Sequence, residues 1–295
     1  MYDILETFRA GSVQEALTLL QAHPGAVVVC GGTDVMIHMK ERKLRQATLI
    51  SIMEVPELQG IRLDGNGDLL IGPGTCFDAI YTDPLARRCV PMLADACNQV
   101  GSPQIRHVAT IGGNLCNGAV SADSVPSLLA LDAELTLTSL QGERVVRAVD
   151  FHTGPGQTVL QKDRELLTCI RIRRAAYENH GGKYIKFGQR NAMEISTLGC
   201  AVNCAMAPDG TIADFAIAFG VAAPRPIRCP ASERMMIGSR PTHALLKKLR
   251  RQALSETTPR DSWRASLELR QQLICELAER AARSAIEQAG GTIDD

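Results

Sequence analysis

The chain is poor in aromatic residues, 4% of 295 with a single tryptophan, and it has no net charge, since 32 Lys plus Arg balance 32 Asp plus Glu. A neutral chain sets up no long-range field toward nucleic acid or an anionic membrane. Its basic run, Leu245 to Arg251, lacks interleaved aromatics and reads as a solvated helix face. No apolar run approaches the roughly eighteen residues of a membrane-spanning helix. Asp3, Glu6 and Glu15 stand where an export signal needs basic and then uninterrupted apolar residues, so a cytoplasmic protein is expected. The sequence has no G-x-G-x-x-G, no G-x-x-x-x-G-K-[ST], no H-E-x-x-H and no G-x-S-x-G. Its six histidines are scattered singly, which leaves a metal cluster or a Ser-His-Asp triad without local support.

Cysteine, by contrast, is abundant. Ten occur, none in CxxC spacing, so the usual zinc and iron–sulfur ligand sets lose their local scaffold. Small, buried, reduced side chains are the expected role. Cys200 and Cys204, four apart in the small apolar stretch TLGCAVNCAM, are expected to share one face in a core. With 45% hydrophobic and 22% charged residues, the composition is that of a globular protein, long enough for two or three small domains.

The pattern along the chain is mixed α and β. Ser12 and Glu15 form a capping box ahead of Ala16, Leu17, Leu19 and Leu20, predicting a helix from about residue 12. Val27 to Cys30 reads as a buried strand, ended by Gly31-Gly32-Thr33-Asp34 and followed by a helix or helical turn from Val35. TLISI near residue 48 is a strand, and the Asp64 to Asp68 turn predicts a hairpin of IRL with LLIG. Asp78 to Val100 reads as helical. It precedes a long Gly- and Asn-rich loop through Asp123, of a length and composition that a plain connector does not need. Helical PSLLAL and the strands ELTLTS, RVVRAV and LLTCIRI follow. After the polar link at 173–183, strands over Lys183–Gln189, Thr197–Ala207 and Thr211–Gly220 predict an antiparallel meander, and Trp263 to Ala289 a long amphipathic helix.

Two glycine pairs, Gly31-Gly32-Thr33-Asp34 and Thr110-Ile111-Gly112-Gly113-Asn114, each adjoin a strand-like run. Glycines let backbone N–H groups approach phosphate oxygens, and the neighbouring threonines add hydroxyl donors, so the two together are suited to clamp a pyrophosphate. Either pair alone reads first as a tight turn, and only the two together bring the phosphate reading level with it.

VVCGGTDVMIHMK and GSPQIRHVATIGGNLCNGAVSADSVPSLLAL, with FHTGPG, DRELL, KYIKFGQR, ISTLGCAVNC, FAIAFGVAAPRPIRC and SWRASLELR, resemble the flavin-binding subunit of the molybdenum-containing hydroxylases, above all the bacterial xanthine dehydrogenase type. The resemblance covers nearly the whole chain. It implies an α+β protein: a PCMH-type FAD-binding domain over 1–175, made of two α/β subdomains at about 1–55 and 56–175, and a C-terminal domain over 176–295 with a three-stranded antiparallel sheet and helices. It also implies non-covalent FAD held by Val28, Val29, Cys30, Gly31, Gly32, Thr33, Asp34 and Val35, by Thr110, Ile111, Gly112, Gly113 and Asn114, and by Asp123, with Val100 and Leu167 as apolar contacts. Lys186 matches a lysine near the flavin's pyrimidine edge, where a cation favours the anionic reduced ring. The absence of a cysteine-bearing insertion leaves flavin as the expected redox centre of the chain, with no metal. On this reading electrons come from a partner [2Fe–2S] subunit, which serves a molybdopterin subunit, and pass through FAD to NAD+. A self-sufficient flavin oxidase or dehydrogenase, and a scaffold that has lost the cofactor, are the competing expectations.

Overall fold

A computed structural model describes residues 2–295. The chain opens with β1 (Ile4–Arg9), α1 (Val13–Ala22), β2 (Val27–Val29), α2 (Val35–Lys40) and β3 (Ala47–Ser51). The capping box forms: Ser12 Oγ accepts from the Glu15 amide at 3.1 Å, while Glu15 reaches back one residue further, to the Gly11 amide at 2.7 Å. The three strands make a parallel sheet in the order β1-β3-β2. Helix α1 buries Ala16, Leu17 and Leu20 against Ile50 on one face, and α2 closes the other over Met39 and Leu49. Strand β1 carries no periodicity strong enough to predict it. Ile4 and Leu5 are exposed, and the strand is held by its ladder to β3.

The second layer contains β4 (Ile61–Leu63), β5 (Leu69–Ile71), α3 (Phe77–Thr82), α4 (Pro84–Cys89), α5 (Pro91–Asn98), α6 (Pro103–Arg106), α7 (Ile111–Asn117), α8 (Ser124–Ala130), β6 (Glu134–Ser139), β7 (Gly142–Arg147), α9 (Ala148–Phe151), β8 (His152–Gly154), β9 (Gln157–Thr158) and β10 (Leu166–Ile172). Five of these strands form an antiparallel sheet, β4-β5-β10-β6-β7. The β4–β5 turn closes as expected, with Asp64 Oδ1 accepting from the Asn66 and Asp68 amides at 2.9 Å. The stretch 78–100 is not one helix but three. Pro84 and Pro91 lack the N–H that a helix interior requires, and each instead starts a new helix; Asp83 caps the middle one, accepting from the Ala86 amide at 2.9 Å. The Gly- and Asn-rich loop likewise holds two short helices, α6 and α7, because Ser102 and Thr110 serve as N-caps.

The last part is β11 (His180–Phe187), β12 (Leu198–Met206), β13 (Ile212–Gly220), β14 (Ile227–Arg228), α10 (Pro230–Met236), α11 (His243–Ser255) and α12 (Leu267–Gln288). The expected three-stranded meander is extended by the two-residue β14. Side chains alternate along β12. Cys200, Val202 and Cys204 are fully buried toward α10–α12, and Ala201 joins the core shared with α5 and α8. The cysteines thus fill a core, and burial pushes the Cys204 thiol up to about 12. Helix α12 starts at Leu267, four residues after the sequence pattern places it, since Ser266 Oγ caps the Leu269 amide. Trp263 is left outside, 82% exposed, with the Arg264 guanidinium 4.2 Å above its ring. Among the described residues no helix is long and apolar enough to cross a membrane.

His152 ties β8 to α7. Its Nε2 lies 3.2 Å from Leu115 O, which only accepts, so the ring holds its proton there; Nδ1 is buried without a partner. Burial holds this imidazole down at about 4, against an ordinary 6.5. The unfolded chain therefore binds a proton that the fold refuses, and stability falls as pH drops from 6.5 through 4, by about 3 kcal/mol. We expect urea midpoints to fall more steeply over that range for the native chain than for His152→Gln, which keeps a donor to Leu115 O and does not titrate. Parallel curves would refute this.

Candidate functional site

A cavity of about 910 Å³ opens where the parallel sheet meets the second layer. Strand β2 points its C-terminal end into it, the usual place for a ligand in a parallel α/β arrangement. The exit from β2 is the first glycine pair. Gly32 sits at φ +71°, and among the described residues the amides of Gly32, Thr33 and Asp34 meet no protein acceptor. Three consecutive donors at a strand end form a concavity suited to an anion. Gly31 matters for a separate reason. A β-carbon there would lie 1.8 Å from Val108 O, so its bareness lets the β2 exit lie against the segment that leads into α7.

The second pair is arranged differently. Its residues open a helix, and their amides are already taken: Ile111 by Thr75 O at 3.1 Å, Gly112 by Pro73 O at 2.8 Å, Gly113 by Thr110 Oγ1 at 3.2 Å and Asn114 by Thr110 O at 3.0 Å. The expectation that both pairs offer free amides therefore holds for the first alone. Gly112 is bare because a β-carbon would meet Pro73 at 2.5 Å, and one on Gly113 would crowd the Thr110 hydroxyl at 3.0 Å. What this side still offers a ligand is the Thr110 hydroxyl proton and the Asn114 amide, whose Oδ1 accepts from Ser124 at 2.7 Å.

Of the residues singled out in the sequence, Val28, Cys30, Gly31, Gly32, Thr33, Asp34, Val35, Val100, Thr110, Gly112, Gly113, Asn114, Asp123 and Leu167 line the cavity. Val29 turns to the opposite face of the sheet, against Met39 and Leu49, as strand alternation requires. Ile111 is fully buried in the main core.

Lys186 stands behind the wall. Its Nζ donates to Asp123 Oδ2 at 2.8 Å, Gln99 O at 2.9 Å and Glu194 O at 2.8 Å, so all three ammonium protons are committed. Asp123 also accepts from Tyr184 at 2.8 Å and from Ser196. Burial first, and the neighbouring Asp123 second, raise the Tyr184 phenol far above its ordinary range and keep it a donor. Lys186 thus fixes Asp123, the 99–101 turn and the 193–195 segment, all of which reach the cavity.

Sequence reasoning did not single out His38, Ser102, Asn117, Lys162, Glu165 and the Met193–Ile195 segment, which also line the cavity. His38, Ser102, Asn117 and Glu165 lie inside the motif stretches, whereas tertiary folding alone brings in Lys162 and Met193–Ile195, the latter from an inter-strand connection. The carboxylates are mostly neutralised: Asp123 by Lys186, Glu165 by Arg144 at 2.6 Å and Glu194 by Arg190 at 2.9 Å. The Arg144 hydrogen bonds hold the Glu165 carboxyl below its usual range, against its burial. Two thiols line the cavity. Burial raises Cys30, partly offset by the Thr110 hydroxyl, and pushes Cys116 up to about 12. Neither is a thiolate near neutral pH, so neither is poised as a nucleophile. Among the described residues no group of three or more His, Cys, Asp or Glu converges to hold a metal ion.

This geometry has known counterparts. Residues 3–174 match the family model described as the FAD binding domain in molybdopterin dehydrogenase, and residues 183–285 match the CO dehydrogenase flavoprotein C-terminal domain. The chain is 39% identical over 293 residues to the putative xanthine dehydrogenase FAD-binding subunit of Escherichia coli K12, covering 99% of this chain and 100% of that one. It is 31% identical to the nicotinate dehydrogenase FAD-subunit of Eubacterium barkeri, covering 79% of this chain and 80% of that one. Among solved structures, the carbon monoxide dehydrogenase of Hydrogenophaga pseudoflava matches with a TM-score of 0.92 at 28% identity, covering 98% of this chain and 99% of the matched chain. Sequence, fold and cavity agree, and the chain belongs to the family of FAD-binding subunits of the molybdenum hydroxylases, with a PCMH-type flavin fold joined to a CO-dehydrogenase-flavoprotein C-terminal domain.

Proposed function

We propose that the chain is the electron-transfer subunit of a cytoplasmic, xanthine dehydrogenase-type complex, taking electrons from a [2Fe–2S] partner that serves a molybdopterin subunit and delivering them to NAD+. The division would be a flavin domain over 1–175 and a C-terminal domain over 176–295. The observation that carries this is the set of unpartnered amides at Gly32, Thr33 and Asp34, opening into the 910 Å³ cavity opposite Thr110 and Asn114. Neutral donors of this kind suit the pyrophosphate of a dinucleotide. FAD, when bound, supplies reversible two-electron chemistry. The residues of the chain supply the rest: Gly32 to Asp34 and Thr110 hold the phosphates, Val35, Val100 and Leu167 give apolar surface, and Asp123 accepts from hydroxyls. Attachment is read as non-covalent, and the protonated thiols of Cys30 and Cys116 support this against a cysteinyl link.

One FAD per chain is expected, released completely by acid precipitation. Gly32→Val should abolish binding, since a branched side chain at a φ of +71° strains the turn that presents the three amides. A pellet that stays yellow, or a valine variant that still binds, would count against the site.

Lys186→Met should cost about 3–5 kcal/mol of stability, because it leaves Asp123 buried with hydrogen bonds but no cation. Adding Asp123→Asn should recover part of the loss. Where FAD remains bound to Lys186→Met, its two-electron potential should shift negative, as an uncompensated carboxylate opposes charge gained nearby. Equal stability of native and Lys186→Met chains would show the pair to be idle.

Expressed alone, the chain should contain no iron or molybdenum and should not hydroxylate xanthine, while NADH bleaches its flavin. Xanthine turnover by metal-free chain would favour a self-sufficient oxidase. A flavin that NADH cannot reduce would assign the acceptor role to another carrier, and chain that stays colourless in FAD would favour a scaffold.

A further inference from the structure

The ionisable side chains of the cavity wall do not balance in the way its neutral amides suggest. Four carboxylates line it, Asp34, Asp123, Glu165 and Glu194, and three of them are spent on Lys186, Arg144 and Arg190, none of which reaches the cavity. Lys162 is the one lysine or arginine in the lining, and among the described residues it makes no ion pair. We propose that Lys162 is the counter-charge for the phosphates of the bound dinucleotide, a binding residue that the glycine motifs do not reveal. The inference rests on the flavin-site reading and adds to it the source of net positive charge.

Three observations carry it. The pyrophosphate of FAD brings two negative charges, and amide dipoles at Gly32 to Asp34 orient such a group without neutralising it. The paired carboxylates leave Asp34 as the uncompensated charge on that side, which adds to the need for a cation. Lys162 lines the same cavity as Thr33, Thr110 and Asn114, so its side chain shares the space in which those donors meet a ligand. The side chain is exposed at the rim and long enough to swing over a ligand already seated.

The experiment titrates FAD and riboflavin into cofactor-stripped chain by flavin fluorescence, at about 50 and 500 mM salt, for the native protein, Lys162→Gln, Lys162→Glu and Lys162→Arg. For Lys162→Gln, FAD affinity should fall about tenfold at low salt, the size of one charge-assisted contact at a partly exposed site. The drop should be larger for Lys162→Glu and small for Lys162→Arg, with a flatter salt dependence in the first two. Riboflavin, which has no phosphate, should bind all four proteins alike. Unchanged FAD affinity in Lys162→Gln and Lys162→Glu overturns the proposal while the flavin reading stands. Equal losses for FAD and riboflavin also overturn it, making Lys162 a wall residue. A native chain that binds neither overturns the flavin reading, and this inference with it.

Discussion

The buried ion pair of Lys186 and Asp123 is the constraint on which the arrangement of the cavity depends. Lys186 belongs to β11, Asp123 precedes α8, Gln99 ends α5, and Glu194 lies in the β11–β12 connection. One ammonium group therefore ties together four stretches of chain at the edge of the core that α5, α8 and the C-terminal sheet share. Both partners are removed from water, their side chains 10% and 7% exposed, so the pair gains little net energy over an apolar one. What it gives instead is a unique geometry, since any displacement of one stretch leaves a proton or a carboxylate oxygen unpaired where water does not reach.

The same logic extends around the wall. Arg144 and Arg190 approach Glu165 and Glu194 from outside the cavity, so the acidic side chains facing it are turned from repelling an anion into rigid hydrogen-bonded framework. Preorganised dipoles and paired charges keep the interior near neutrality without giving up polarity.

Much of this was legible in the sequence. The capping box at Ser12, the Asp64 hairpin, the three long strands of the C-terminal sheet and the burial of Cys200 and Cys204 all follow from local chemistry, because one turn, one cap or one alternating face decides each. The family motifs located most of the cavity, down to Val100 and Leu167, which no pattern of their own distinguishes. Local reading failed where a proline or a cap competes with periodicity: Pro84 and Pro91 divide an apparently continuous helix, and Thr110 turns a supposed loop into α7. It failed again where function depends on who else has claimed a donor. A glycine pair looks the same in sequence whether its amides are free, as at Gly32, or bound to Thr75 and Pro73, as at Ile111 and Gly112. Lys186 and Lys162 show the same limit, one fully committed within the protein and the other free.

The position of β10 bears on how the chain assembles. It is the central strand of the five-stranded sheet yet the last of the five in sequence, paired with β5 on one side and β6 on the other. During synthesis the β4–β5 and β6–β7 hairpins emerge first, each with an open edge, and neither belongs to a common sheet until residue 172 has left the ribosome. The cavity waits longer still, for Met193 to Ile195. The cavity wall is thus complete only after about two thirds of the chain has been made, and until β10 emerges the nascent protein exposes two strand edges that its own later segment, or a chaperone, must cover.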